Sequence, residues 1–244
     1  MLLEEMSTTD VRDHLQKDTL VVIPIGSTEQ HGPANPLGTD FLIAQNVARR
    51  ACEMANAICA PTMPIAISEH HSRFPGTLWF TPRLVVEMMK EYSLNLASHG
   101  FDHIIFLNGH GGNIAALQEV TNYLYYQHQM NSVSVNWWDL ADMDRVKELF
   151  PNHAFAHAEA VETSIGLAIH EHLIKLERLE NVESAEEWGR KIHGISIPSY
   201  TDDFSKDGVV GSLDNISKES GKEIIVQVIE KFAEFIADFR TFSS

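Results

Sequence analysis

The residues best suited to chemistry begin directly after the first apolar run, in the segment GSTEQHG at residues 26–32. In extended chain, side chains two residues apart point the same way, so Glu29 and His31 can aim at one point. Asp40 follows nine residues after His31, at the predicted start of a helix. Carboxylate oxygen and imidazole nitrogen together suit Zn²⁺ or Mn²⁺. A polar loop followed by a helix-capping Asp explains this cluster equally well.

A second cluster, NGHGGN at residues 108–113, follows the apolar run HIIFL. Its glycines allow a sharp turn and the close approach of another group. A Gly-rich turn between a strand and a helix can also hold a phosphate. The segment lacks the Lys-Ser/Thr pair of a P-loop and the G-x-G-x-x-G spacing of a dinucleotide site. His110, among glycines at the end of a strand, favours a ligand or catalytic role.

A third cluster, HAFAHAEAVETS at residues 153–164, contains His157, Glu159 and Glu162. It lies just before and within a predicted helix N-terminus, where carboxylates are favourable because of the helix dipole alone. His157 could likewise be a hydrogen-bonded core histidine. For Glu162, a structural part is the favoured interpretation, and orienting His157 is the alternative.

Short apolar runs alternate with amphipathic segments through the first half of the chain, which predicts βαβ units and a mostly parallel sheet. In such a sheet, sites form where the C-terminal ends of the strands meet, and the first two clusters follow strands directly. The predicted strands are 20–25, 57–60, 103–107 and 132–135, and the predicted helices are about 40–54, 82–99, 114–128, 159–173 and 222–239. Residues 180–215 are polar and predict loops with an irregular strand or two. We expect one domain over residues 1–244.

The formal net charge is −16, from 34 acidic and 18 basic residues. That sign disfavours nucleic acid and anionic membranes as partners, since both are bound by Lys and Arg. The N-terminal segment lacks the pattern of a signal peptide, and the apolar runs are too short to span a bilayer. Cys52 and Cys59 are expected to be core residues. Two unpaired cysteines indicate a protein of a reducing compartment. We therefore expect a cytoplasmic protein.

Four stretches, IPIGSTEQHGPANPLGTD, HHSRFPGT, LNGHGGN and HAEAVETS, resemble the creatininase (creatinine amidohydrolase) family, and they occur in the family's order. The resemblance covers roughly residues 1–175. It implies a three-layer α/β/α sandwich, two divalent metal ions per subunit (zinc and/or manganese), and a homo-oligomer, often a hexamer. Carried over residue by residue, the metal ligands are Glu29, His31, Asp40 and His110, with Asp40 bridging both ions.

The chain departs from the creatinine-cleaving members in the second cluster. Those members read Gly-His-Tyr-Glu-Asn there, with the Glu as a ligand, whereas this chain has Gly111 and Gly112. Glu159 stands where those members have glycine, so we expect it to supply the lost carboxylate. The pattern resembles the Gly-His-Gly-Gly-Asn branch, which includes formamide-cleaving enzymes. One expected substrate-covering tryptophan is replaced by His153, and a second is matched by Trp138.

These residues predict an amidohydrolase that cleaves a non-peptide C–N bond, such as a cyclic amide or formamide, with a hydroxide bridging two metals. His157 is the expected proton shuttle, because imidazole titrates near neutral pH. Glu159 is grouped with it as a catalytic residue. The residues expected to contact a small-molecule substrate are Ser68, His71, Arg73, Gly111, Gly112 and Trp138. Alternatives are creatinine hydrolysis proper, a two-metal phosphoesterase with Arg73 as phosphate clamp, and a non-catalytic metal-binding scaffold.

Overall fold

A computed structural model describes residues 1–152 and 156–242. Four parallel strands form its central sheet, in the order β2-β1-β3-β4. In chain order they are β1 (Leu20–Ile25), β2 (Ile58–Cys59), β3 (His103–Asn108) and β4 (Asn131–Asn136). All six residues of β1 are buried, because this apolar strand lies inside the sheet with a strand on each side. The mostly parallel sheet predicted from the sequence is confirmed.

Seven α-helices and one hairpin accompany this sheet in the described ranges. The helices are α1 (Thr8–Leu15), α2 (Thr39–Met54), α3 (Pro82–Ser98), α4 (Ile114–His128), α5 (Met143–Leu149), α6 (Ala160–His170) and α7 (Lys218–Phe239). The antiparallel hairpin consists of β5 (Arg190–Ile192) and β6 (Ile195–Ile197). Short 3₁₀ turns cover Leu3–Glu5, Glu69–His71, Gly111–Asn113, Trp137–Leu140, Glu171–Leu173, Leu176–Leu179 and Thr201–Asp203.

Side chains that alternate along β1 separate the core into two halves. Leu20 and Val22 pack with α2, α6 and α7 on one face of the sheet. Val21 and Ile23 pack with α3 and α4 on the other face. This alternation is the period of a strand whose two faces are both buried. The three-layer α/β/α sandwich is therefore confirmed.

The predicted helix over 159–173 differs most clearly from the structure. It begins at Ala160 with Glu159 as its N-cap, and after His170 it tightens into the turn Glu171–Leu173. The C-terminal helix begins four residues earlier than predicted, at Lys218, because the Ser217 hydroxyl accepts from the Ser220 backbone N–H and caps it.

Two smaller sequence predictions concern the cysteines and the bilayer. Cys52 and Cys59 are both buried free thiols, as expected of core residues. Throughout residues 1–152 and 156–242, no helix has the length and apolar character needed to cross a membrane. The cytoplasmic location stays a prediction.

Candidate metal centre

The centre lies where the C-terminal ends of β1 and β3 meet the N-terminus of α2. Gly26 and Gly109 follow these strands, and each has a backbone segment of α2 against it. A Cβ at Gly26 would lie 2.3 Å from the Phe41 nitrogen, and one at Gly109 would lie 2.3 Å from the Asp40 carbonyl oxygen. Only glycine permits this approach, which carries the Asp40 side chain to the strand ends.

The four side chains carried over as metal ligands converge there. Asp40 turns Oδ1 toward His31 Nε2 at 2.9 Å and Oδ2 toward His110 Nδ1 at 3.0 Å. Glu29 Oε1 lies 3.2 Å from the same nitrogen of His110. The structure thus brings all four together and gives Asp40 one oxygen on each side, as a bridging carboxylate requires.

The orientation of both imidazoles is set by backbone carbonyls. His31 Nδ1 donates to the Glu29 carbonyl oxygen at 3.1 Å, and His110 Nε2 donates to the Ile67 carbonyl oxygen at 2.7 Å. In a neutral ring the other nitrogen then carries a lone pair. Metal-binding histidines show this same outer hydrogen bond. Each ring therefore presents a ligand atom to the carboxylates.

The close distances are not satisfied hydrogen bonds. Within the described ranges, both oxygens of Glu29, Nε2 of His31 and Oδ2 of Asp40 are buried without a hydrogen-bond partner of acceptable geometry. Buried polar atoms left in this way call for an explanation such as a bound ion. Carboxylate oxygens and imidazole nitrogens aimed at common points form a donor set that fits zinc or manganese.

Charge interactions in the centre shift the pKa values strongly. Burial alone would lower the pKa of His31, but the charges of Asp40, Glu162 and Glu29 outweigh it and raise the pKa to about 10. Burial also disfavours charged His110, yet Glu29 and Asp40 hold its pKa well above the usual value. The carboxylates thus stabilise positive charge at this site, whether it is carried by protons on the histidines or by cations.

Glu159, predicted as a ligand, lies at the start of α6. Its buried carboxylate accepts from the backbone N–H groups of Val161 at 2.6 Å and Glu162 at 3.2 Å, so it caps α6. Glu162, for which a structural part was favoured, accepts from the Ala158 backbone N–H with Oε2 at 2.6 Å, and the same oxygen lies 3.9 Å from His31 Nε2. A sequence pattern does not fix how the first turn of α6 is oriented. In the structure Glu162 projects toward His31, and Glu159 folds back on the helix end.

In the described part of the chain, three groups place one ligand atom per residue within 4.8 Å of one another. They are Glu29–His70–His110, Glu29–His31–His157 and His31–Asp40–Glu162. Glu159 belongs to none of them. His70 was missed in the sequence, where only the tandem His70–His71 could have indicated it. Its ring stacks on His110 with centroids 5.5 Å apart.

A cavity of about 850 Å³ opens over this centre. It is lined by Asp40, His110, Glu162 and His157, and by four of the six predicted substrate contacts: His71, Gly111, Gly112 and Trp138. Gly112 has a further reason to be glycine. A Cβ there would lie 2.4 Å from both His110 Nε2 and the Ile67 carbonyl oxygen, across the bond that orients His110. A glutamate at this position would break that bond.

The other two predicted substrate contacts, Ser68 and Arg73, do not line this cavity. Ser68 is buried, and its hydroxyl bonds to the Ser27 hydroxyl and the Leu78 carbonyl oxygen. Arg73 pairs with Asp202 and Asp203 at 3.2 and 2.9 Å. In the structure these two polar residues before the Pro-Gly turn face other loops, and their contact with substrate stays a prediction. His153 lies outside the described residues.

His157 borders the cavity as predicted. Its Nε2 donates to the Gln30 carbonyl oxygen at 2.9 Å, and its Nδ1 lies 3.9 Å from Glu29 Oε1. Burial, with the positive charges of His31 and His71, holds the pKa of His157 well below its usual value. His157 is therefore neutral at pH 7, with Nδ1 free of a proton.

Gln30 was also missed by sequence reasoning. Its side-chain nitrogen lies 2.9 Å from His71 Nδ1 and 2.8 Å from His157 Nε2, and it donates to the Gly208 carbonyl oxygen at 3.0 Å. The amide nitrogen has two protons, which go to His71 Nδ1 and the Gly208 carbonyl oxygen, so Gln30 ties His71 to the loop after β6. The Nε2–H of His157 points to the Gln30 backbone carbonyl oxygen instead. The only signal in the sequence was the position of Gln30 between Glu29 and His31. In extended chain its side chain points away from theirs, toward the residues behind the ligands.

These features of the centre agree with the comparison of the sequence with known families. The sequence model of the creatininase family, described as creatinine amidohydrolase, matches residues 4–236. The chain belongs to the creatininase family. The resemblance seen in four short stretches thus extends over nearly the whole chain, up to residue 236.

Several curated relatives are similar over different lengths. The mycofactocin precursor peptide peptidase of Mycolicibacterium smegmatis is 35% identical over 156 residues, which cover 62% of this chain and 58% of that protein. For its Mycobacterium tuberculosis counterpart the matched share is 45% of that protein, so the chain spans about half the length of these relatives. The creatinine amidohydrolase of Pseudomonas putida is 23% identical over 91% of this chain and 90% of its own.

A deformylase is also related over most of its length. The 2-amino-5-formylamino-6-ribosylaminopyrimidin-4(3H)-one 5'-monophosphate deformylase of Methanocaldococcus infernus is 26% identical over 89% of this chain and 90% of its own.

The crystal structure of creatinine amidohydrolase superposes with a TM-score of 0.85 at 22% identity, covering 99% of this chain and 98% of that one. A zinc form of a creatininase variant and a manganese form of creatininase match with TM-scores of 0.84 and 0.85, each at 21% identity. At such identities these likenesses establish the creatininase fold.

Proposed function

We propose that this protein is a metal-dependent hydrolase that cleaves the C–N bond of an amide, with cyclic amides and formamides as its substrate class. The observation that carries the proposal is the buried Asp40 carboxylate, which faces His31 with one oxygen and His110 with the other. Its family membership and its creatinine amidohydrolase and deformylase relatives support the same chemistry.

Two cations per subunit would be held by two groups that share Asp40. Glu29 and His110 form one group, with His70 as a further donor at its edge. His31 and Glu162 form the other. The zinc and manganese forms of related creatininases support these metals. Glu162 takes the part that the sequence suggested for Glu159.

When bound, a pair of divalent cations lowers the pKa of water toward neutrality and polarises a carbonyl oxygen. The chain itself supplies proton transfer. Neutral His157 lines the cavity with Nδ1 unprotonated, so it can take a proton there and return it to the leaving nitrogen. Its Nε2–H remains fixed by the Gln30 carbonyl oxygen, which keeps the ring oriented.

A second candidate is cleavage of a peptide C–N bond. It is favoured by the 35% identity to a peptide peptidase and by the size of the cavity, which falls within the range for drug-sized ligands. A phosphoesterase has weaker support. Arg73 is engaged elsewhere, and Lys191, the only Lys or Arg among the described residues that line the cavity, pairs with Glu187 at 2.5 Å.

The test combines metal analysis with a substrate panel. Protein loaded with Mn²⁺ or Zn²⁺ is assayed on creatinine, a formamidopyrimidine, a short peptide and a phosphate monoester. We expect two ions per subunit and turnover of an amide, with both lost in Asp40→Asn. A protein that holds two ions but cleaves no amide favours the scaffold alternative, and cleavage of the ester alone favours the phosphoesterase.

The matched control for this test is Asp202→Asn, an exposed carboxylate that pairs with Arg73 outside the cavity. Its metal content and turnover should equal those of the unmodified protein. The homo-oligomer, with a hexamer as the family expectation, remains part of the proposal. A native mass six times that of the 27.4 kDa chain would support it.

A further inference from the structure

Trp188 lies over the candidate metal centre, although nothing in the short sequence motifs pointed to it. Its ring lines the cavity and meets His70, His71 and His157 with centroid distances of 5.7 Å in each case. All three contacts are edge-on, with interplanar angles between 65° and 81°. A substrate seated at the centre would therefore have the Trp188 ring as its neighbour.

The segment that carries Trp188 is anchored at both ends. On one side, Ala185 pairs with Val210 in the bridge that also reaches His157. On the other side, the Thr201 hydroxyl contacts the His70 carbonyl oxygen at 3.1 Å and His71 Nδ1 at 2.9 Å. Residues 186–199 thus span the cavity between two fixed points, and both anchors contact histidines of the centre.

Between its anchors the segment packs little against the core. Every residue of β5 and β6 is exposed. Trp188 itself is 42% exposed, whereas Trp137, a core residue, is 1% exposed. Beyond the three histidines, the ring of Phe204 lies 5.4 Å from that of Trp188. Unlike Trp137, Trp188 presents ring surface to the cavity.

We propose that Trp188 is a specificity-determining residue that stacks against a planar group next to the bond being cleaved. The proposal rests on the proposed function, because it places that bond at the metal centre. Aromatic faces favour flat rings in offset or edge-on arrangements over puckered rings of equal size. The substrate class is thereby narrowed to amides that bear an aromatic or heteroaromatic ring.

The test uses two probes that bind divalent metal through the same group. Benzohydroxamic acid carries a flat ring, and cyclohexanecarbohydroxamic acid carries a puckered ring with the same number of heavy atoms. Dissociation constants for both are measured by titration calorimetry on the Mn²⁺-loaded full chain. Each variant's preference is the ratio of its two constants, so intrinsic differences in chelation cancel when variants are compared.

We expect Trp188→Leu to lower the preference for the flat ring roughly two- to tenfold, the range of one aromatic contact. Trp188→Phe should retain part of it, since a ring remains. Trp79→Leu is the matched control, because Trp79 is 41% exposed and does not line the cavity. Metal content, measured in parallel, should be equal in all four proteins.

An unchanged ratio in Trp188→Leu with normal metal content would overturn the proposal while leaving the metal site intact. Equal losses in Trp188→Leu and Trp79→Leu would also overturn it, as a general effect of removing tryptophan. If neither probe binds the unmodified loaded protein, the proposed function itself fails, and Trp188 loses its role with it.

Discussion

Metal loading should release protons, and the structure sets their number. At pH 7, His31, with a pKa of about 10, and His110, with a pKa well above its usual value, both carry a proton in the metal-free protein. Burial, reinforced by Asp40 and opposed by His31, raises the pKa of Glu162 to about 8, so this carboxyl is about nine-tenths protonated. A cation needs the lone pairs that these protons occupy.

We therefore expect about three protons to leave each subunit when both ions bind at pH 7, and any water ionised at the ions adds to this number. At pH 9 Glu162 is already mostly ionised, so most of its contribution to the released protons is lost. Since protons compete with the cations, the affinity for metal must weaken as the pH falls.

Titration calorimetry of the metal-free protein with Mn²⁺ measures this number. The observed enthalpy is plotted against the ionisation enthalpy of several buffers at one pH, and the slope is the proton count. Glu187→Gln, which changes a carboxylate on the cavity wall without touching a ligand group, should give the unmodified slope. A slope below one at pH 7 would refute the assignment of His31 and His110 as ligands.

Three further predictions follow from the same geometry. Glu159→Gln should lower the free energy of unfolding by about 1–3 kcal/mol in urea titrations, because one buried cap acceptor becomes a donor, and should leave metal content unchanged. Glu162→Gln should instead lower the metal content and leave the free energy of unfolding nearly unchanged. Metal loss in Glu159→Gln would support the sequence-based assignment of Glu159 as a ligand. Gly112→Ala should weaken metal affinity about 10–100-fold by displacing the ligand histidine, whereas Gly111→Ala, with open space around it, should not. Arg73→Ala should keep kcat/KM within about twofold, and a larger drop would contradict its placement outside the cavity.

Local patterns predicted the four strands of the sheet and the five longest helices, because their periodicity and caps lie within their own segments, whereas the short helices α1 and α5 were not predicted. The buried run of β1, the Thr81-Pro82 start of α3 and the position of α4 all follow from periodicity and capping. The end of α6 was less predictable, since the tightening into a 3₁₀ turn after His170 depends on what packs beside it.

The same limit applies to the centre. Glu29 and His31 are two residues apart after a strand, so their convergence is a local property, and strand order adds His110 and Asp40. Arg73 and Ser68 are also near in sequence to a true site residue, His71. Whether such neighbours face the cavity or other loops is set by contacts with Asp202, Asp203 and Ser27, which lie far away in the chain.

By itself, the sequence determined the four strands of the sheet, the five longest helices, the family, and the ligand types that come with each strand end. Only the tertiary structure decided that Glu162 faces His31 while Glu159 caps α6, that Gln30 contacts His71 and His157, and that Trp188 lines the cavity. The physical reason is that a side chain's direction depends on helix rotation and on loop anchors formed by distant residues. Residue type and spacing determine neither the helix rotation nor the loop anchors.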